Sequence, residues 1–177
     1  MHRDQISPNV EVRGAIVLAV VEVMRAFRSV ALRVLAKNGI VDPQPDHWYS
    51  LKDWIASFDT IVKDVGPNTL HQIGRHVSGT APIPPNIDNV QDALSLLDEQ
   101  YLSQHRGGDV GHYHYFHTGE RTATIISSTP YPSDFDRGVI TSLIERFEND
   151  SLLHVDLDPK SETRKNGATS CTFLVQW

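Results

Sequence analysis

The chain carries one cysteine, Cys171, in 177 residues. That count excludes an internal disulfide framework and every multi-thiolate metal site, and it suits a reducing, cytoplasmic setting. A long apolar run is also missing. The most hydrophobic stretch, Ala15–Val21, is closed off by Glu22, well short of the roughly 20 residues that a bilayer-spanning helix requires. Met1-His-Arg-Asp is not followed by the apolar region and small-residue cleavage site of an export signal. Basic residues are in deficit, 16 Lys and Arg against 22 Asp and Glu for a net charge of −6. Nonspecific nucleic-acid binding needs the opposite sign, a basic footprint that displaces counterions. Neither a nucleic acid nor a membrane is therefore an expected partner.

Catalytic signatures are scarce as well. There is no Gly-x-Ser-x-Gly elbow and no His-Glu-x-x-His pair. Gly107-Gly108-Asp109-Val110-Gly111 lacks both the preceding strand and the dinucleotide spacing. Ser133 reads as a helix cap, and Cys171 sits inside an apolar strand with no neighbouring base. The pairs Asp134/Asp136 and Asp156/Asp158 fit caps and strand ends. No reaction is assigned, and a binding domain is expected rather than an enzyme.

What is present is an ordinary globular composition, 40% hydrophobic and 21% charged, long enough for one domain with a substantial core. Apolar residues cover nearly every face between Ala15 and Met24 of a helix expected over Val10–Asn38, which stops at Asn38-Gly39. Such a helix is either central to the fold or buried against a second subunit. Ser50 and Asp53 form a capping box for a helix whose Leu51, Trp54, Ile55, Phe58, Ile61, Val62 and Val65 share one face. Asn68 or Thr69 opens a further helix to about Val77, in which Gly74 permits close packing. Ser78–Pro85 reads as a linker between a helical subregion, about 1–78, and an α+β subregion, about 86–177.

The second subregion opens with a helix from Asp88 or Asn89 that turns Val90, Ala93, Leu94, Leu97 and Tyr101 inward. Gly107-Gly108 ends it. Strands over Gly111–His117 and Thr122–Ser128 form a hairpin through Thr118-Gly119-Glu120. Ser133 and Asp136 offer another capping box ahead of a helix, and strands over Leu152–Leu157 and Thr169–Trp177 close the chain around a polar loop, Asp158–Gly167.

The polar aromatic run His112-Tyr-His-Tyr-Phe-His117 is the feature most open to chemistry. Strand alternation puts His112, His114 and Phe116 on one face and Tyr113, Tyr115 and His117 on the other. His112 and His114 could share a transition metal through neutral imidazoles, given a further ligand from another element. The competing reading is an amphipathic strand at a subregion or subunit boundary, and the lack of a matching second ligand pair favours it.

Three segments carry a resemblance. Trp48–Val77, with Val65-Gly66 and Ile73-Gly74, the turn Pro130-Tyr-Pro-Ser-Asp-Phe-Asp-Arg-Gly138, and the ending Cys171–Trp177 resemble the superfamily of haem nitric-oxide/oxygen-binding (H-NOX) domains, 4-vinyl-reductase-like domains and TRAPP vesicle-tethering subunits. The resemblance covers most of the chain. It implies an α+β fold in which an N-terminal helical part packs on a helix–β-hairpin–helix–β-hairpin unit with a four-stranded antiparallel sheet. It also implies a pocket between the two parts, and a self-associating sensor that reports to a signalling partner protein.

The departures concern the site. An H-NOX domain carries its haem-ligating histidine in the helix before the hairpin, where this chain has Leu94 and no histidine through Val90–Gln104. His105 comes too late, the Tyr-x-Ser-x-Arg propionate clamp is absent, and Ser133 stands where 4-vinyl-reductase-like domains commonly carry a cysteine. The expectation is the shared scaffold with a changed site: a cytoplasmic sensory or regulatory domain for a small hydrophobic or aromatic ligand. Tyr101, His112, Tyr113, His114 and Tyr115 are its candidate contacts, and no cofactor is expected. One alternative is a ligand-free homodimeric adaptor using the Ala15–Met24 face. A second is a metal or haem sensor, with His112 and His114 as the metal pair.

Overall fold

The computed structural model describes residues 5–66, 68–148 and 153–177. Near the N-terminus, Val10, Val12 and Gly14 are buried while Arg13 is exposed and Glu11 half-buried. This period of two belongs to a strand, and Glu11–Arg13 forms β1 instead of the first turn of the expected helix. β1 lies between β2 (Trp48–Ser50) and β3 (His105–Arg106), antiparallel to both. A small three-stranded sheet thus ties the beginning of the chain to the start of its second half.

The helix expected over Val10–Asn38 is divided further. α1 (Gly14–Val23) ends at Met24, whose φ of −88° and ψ of 29° leave helical geometry. A 3-10 turn, Arg25–Phe27, leads into α2 (Arg28–Lys37). α1 buries Val17, Ala19, Val20 and Val21, whereas α2 buries one stripe, Ala31, Val34 and Leu35. The bend falls where exposed Arg25, Ala26 and Phe27 intervene, so each helix turns its own apolar surface inward.

α3 (Leu51–Asp64) starts as its sequence dictates: the Ser50 hydroxyl accepts the Asp53 N–H at 3.3 Å, and Leu51, Trp54, Ile55, Phe58 and Ile61 are buried, whereas Val62 and Val65, expected on the same face, are exposed where the helix ends. α4 (Asn68–Thr80) continues past Val77 into the predicted linker. Asn89 caps α5 (Val90–Ser95), accepting the Asp92 N–H at 2.9 Å. Leu96, at φ −89° and ψ −5°, separates α5 from α6 (Leu97–Ser103).

β4 (Tyr113–Gly119), β5 (Thr122–Ser127), β6 (His154–Leu157) and β7 (Cys171–Gln176) form an antiparallel sheet in the order β4-β5-β7-β6. Leu152, where the last hairpin was expected to begin, lies outside the described residues. Tyr113, Ala123, Ile125, Cys171, Phe173 and Val175 face the core, and His114, Phe116 and Leu174 are exposed. The architecture is the expected α+β class, with helices on a four-stranded antiparallel sheet.

α7 (Ser133–Glu145) packs against α4 through two glycines. A Cβ at Gly74 would overlap the Phe135 carbonyl oxygen, and one at Gly138 would overlap the His71 carbonyl oxygen. Each helix therefore presents a glycine to the other's backbone, which lets the axes approach closely. The predicted capping box at the start of α7 does not form. Pro132 occupies the cap position without a side-chain bond, and Asp136 is turned into the core. The reason is tertiary: a partly buried arginine from the polar loop, Arg164, claims its carboxylate.

Candidate functional site

The loop that precedes α7, α7 itself, the end of α6, β3 and β4 bring the rings of Tyr131, Phe135, Tyr101, His105 and Tyr113 together. Tyr131 is buried and stacks on Phe135 at 4.5 Å between ring centroids. Tyr101 meets Tyr113 edge-to-face at 5.2 Å and lies 4.4 Å from the His105 ring. Aromatic pairs at such distances and tilts are favourable beyond the area they bury.

The hydrogen bonds of this cluster fix its protonation. His105 Nδ1 lies 2.7 Å from the Tyr101 carbonyl oxygen, which only accepts, so Nδ1 carries the proton. Nε2 is then free to accept from the Tyr131 hydroxyl at 2.9 Å. Burial pushes His105 down to about 4, against the backbone hydrogen bond that favours its charged form. Tyr131 is pushed up by burial, and the Trp54 indole N–H approaches its oxygen without reaching hydrogen-bond geometry. Tyr101 donates to the Val110 carbonyl at 2.6 Å and Tyr113 to Asp136 Oδ1 at 2.5 Å. Burial raises both phenols, with nearby Tyr131 and Asp136 adding to the effect for Tyr101 and Asp136 for Tyr113.

A cavity of about 280 Å³ opens beside this cluster. Its inner wall is Tyr101, His105, Tyr113, Tyr131 and Phe135; the opposite wall is α1, through Ala15, Ile16, Leu18 and Ala19. Val77, Val139 and Leu97 complete the apolar lining, while Glu22, His76, Gln100 and Gln104 also border it. Among the described residues that line it, none is Lys or Arg. The size is near the lower end of small-molecule sites, about 300–1,000 Å³, and the composition is the usual one of apolar walls with a few polar groups.

Behind Tyr113 lies a buried polar network. Asp136 accepts from Tyr113, from Ser127 at 2.6 Å and from Thr129 at 3.2 Å, and Arg164 closes an ion pair with it. Arg164 also donates to the Ser127 carbonyl at 2.7 Å, and its own backbone N–H points to Cys171 Sγ at 3.4 Å. The polar loop is thereby pinned to α7 and the sheet. This network holds Tyr113 in place as part of the cavity wall.

Of the residues singled out in the sequence, Tyr101 and Tyr113 line the cavity, whereas His112, His114 and Tyr115 are not among its lining residues. His112 and His114 stack at 5.7 Å on the outer face of the sheet, and His112 Nδ1 bonds Asp98 at 3.0 Å. Among the described residues no group of three or more His, Cys, Asp or Glu is arranged to hold a metal ion. Tyr115 is half-buried, and its hydroxyl has no hydrogen-bond partner. Sequence reasoning set aside His105, Tyr131 and Asp136. For Tyr131 a signal existed in the Pro-Tyr-Pro turn, whose two prolines bracket one aromatic side chain.

No protein-family model matches the sequence, and no curated protein is detectably similar to it. The fold does have solved counterparts, H-NOX proteins among them. An H-NOX protein from S. oneidensis in the Fe(II)NO ligation state superposes with a TM-score of 0.71 at 13% identity, covering 93% of this chain and 98% of that one. The Fe(II) unliganded H-NOX protein from K. algicida gives a TM-score of 0.65 at 13% identity, covering 93% and 95%. The chain therefore has an H-NOX-like α+β fold, divergent in sequence from these structures. Among the described residues no helix is long and apolar enough to cross a membrane.

Proposed function

We propose that the chain acts as one cytoplasmic sensory or regulatory domain, binding a small hydrophobic or aromatic molecule in the cavity between α1 and the Tyr101–His105–Tyr131 wall. The observation that carries this reading is the cavity's position. One wall belongs to the N-terminal helical part and the other to the helix–hairpin unit, so a guest touches both and biases how they pack. A signalling partner protein would read that packing. The test combines an organic extract of purified, untagged protein, analysed by mass spectrometry, with a ligand-observed NMR screen of small aromatics. Leu18→Trp, which fills the cavity from a half-buried position on α1, should abolish binding. Binding that survives Leu18→Trp, or no guest and no hits at all, would sink the reading.

Haem does not fit the residues present. The histidine of the inner wall, His105, commits Nδ1 to Tyr101 and Nε2 to the Tyr131 hydroxyl, leaving neither of its nitrogens for iron. The lining offers Glu22 and no Lys or Arg to meet propionates. We infer a guest other than haem.

A second reading rests on a different surface. α1 buries most of its apolar residues within the fold, so self-association would use the outer sheet face. There Phe116 and Leu174 are 51% and 44% exposed, both opposite Thr124 on the central β5. Analytical ultracentrifugation of the native chain and of Phe116→Ser/Leu174→Ser decides it: a dimer lost in the double variant supports a homodimeric adaptor, and a monomeric native chain removes it.

A further inference from the structure

The inner wall of the cavity has committed all of its protons. Tyr101, Tyr113 and Tyr131 donate away from it, to Val110, Asp136 and His105, and the His105 N–H is held by the Tyr101 carbonyl. What these four groups still offer a guest are phenol lone pairs and ring faces. Three further polar residues of the lining add to this. The hydroxyls of Ser103 and Thr80 return to carbonyls of their own helices, and the Gln104 amide donates to Ser103. The charge pattern points the same way. The lining holds no cationic Lys or Arg, and its carboxylate, Glu22, is exposed and lies 3.4 Å from Arg25. An anion entering here leaves water and finds no counter-charge.

We propose that the cavity selects uncharged aromatic molecules that bring their own hydrogen-bond donor, of the phenol or indole class, and rejects their carboxylate counterparts. The proposal rests on the ligand-binding reading above and specifies the guest. Size agrees with it: an apolar cavity of about 150 Å³ takes up benzene, so about 280 Å³ suits one or two fused rings. Burial keeps His105, the histidine of the inner wall, neutral, its Nε2 accepting from the Tyr131 hydroxyl. The donor preference belongs to the inner wall: there a guest N–H or O–H meets a waiting acceptor, whereas a guest carbonyl meets groups whose protons are taken, the donors of Gln100 and His76 lying outside that wall.

Three probes of nearly one shape separate the outcomes: indole, its N–H-free analogue indene, and indole-2-carboxylate, each titrated into the full chain at pH 7.5 by calorimetry or by chemical-shift mapping. Indole should bind about five- to tenfold more tightly than indene, the worth of one net hydrogen bond. Indole-2-carboxylate should bind at least a hundredfold more weakly than indole, or not at all. Leu18→Trp should abolish the indole signal, and Tyr101→Phe, which removes one acceptor from the wall, should narrow the indole–indene gap. Equal binding of indole and indene, or carboxylate binding within threefold of indole, overturns the proposal while leaving the cavity a ligand site. If none of the three binds and the wider screen also fails, both fall together.

Discussion

His105 makes the stability of this protein sensitive to mild acid. In an unfolded chain a histidine titrates near 6.5; here burial holds it at about 4. The unfolded state therefore binds a proton between those values that the folded state refuses. Stability is fully present above about 6.5 and declines as pH falls toward 4. A difference of two and a half pH units at about 1.4 kcal/mol each gives about 3 kcal/mol, most of it gone by pH 4.5. Total stabilities of about 5–15 kcal/mol are usual, so the effect is large. Other groups titrate in the same window, including His71, which burial and then Arg137 and Arg75 push down. The comparison with His105→Gln isolates the site, because glutamine stays neutral while keeping a donor for Tyr101 and an acceptor for Tyr131. Urea unfolding followed by Trp54, which is fully buried, should show a native chain that loses about 2–3 kcal/mol more than His105→Gln between pH 7.5 and 4.5. Parallel pH profiles for the two proteins would refute a buried neutral His105.

Other perturbations follow from the same packing. Arg164→Met leaves Asp136 charged and buried without its cation, a loss of about 3–5 kcal/mol; adding Asp136→Leu should restore much of it in denaturant melts. Gly74→Ala and Gly138→Ala should each cost about 1–3 kcal/mol by forcing α4 and α7 apart. Gly79→Ala, which meets only the Ser142 hydroxyl at 2.9 Å, should cost less in the same melts. Tyr115→Phe removes a hydroxyl that has no partner and should be neutral or stabilising by up to about 1 kcal/mol in thermal denaturation.

Much of the scaffold was legible because local chemistry decided it. Ser50 and Asn89 begin helices where a side-chain oxygen meets a free N–H, and α3 declares its buried face by spacing alone. Alternation correctly divided the 112–117 run into two faces. Legibility failed where a remote partner intervened. Glu11–Arg13 lies within the expected first helix, yet becomes a strand because two other segments, β2 and β3, stand beside it. Asp136 has the position of a capping residue, yet turns inward because Arg164 arrives from 28 residues away. The same gap hid the cavity. At a helix end His105 reads as a surface or hydrogen-bonded structural histidine, and Tyr131 as part of a turn; only the fold sets their rings against each other.

The sequence alone determined the fold class, the strands of the four-stranded sheet, the single buried cysteine, and the absence of several familiar catalytic motifs. Those properties follow from periodicity, turn residues and composition, which act over a few positions. Only the tertiary structure decided which of the nine histidines is held neutral in an aromatic wall, which face of β4 joins that wall, and which protons are already committed. These depend on groups far apart in the chain meeting in a medium too poor in water to screen them, and no local pattern encodes that meeting.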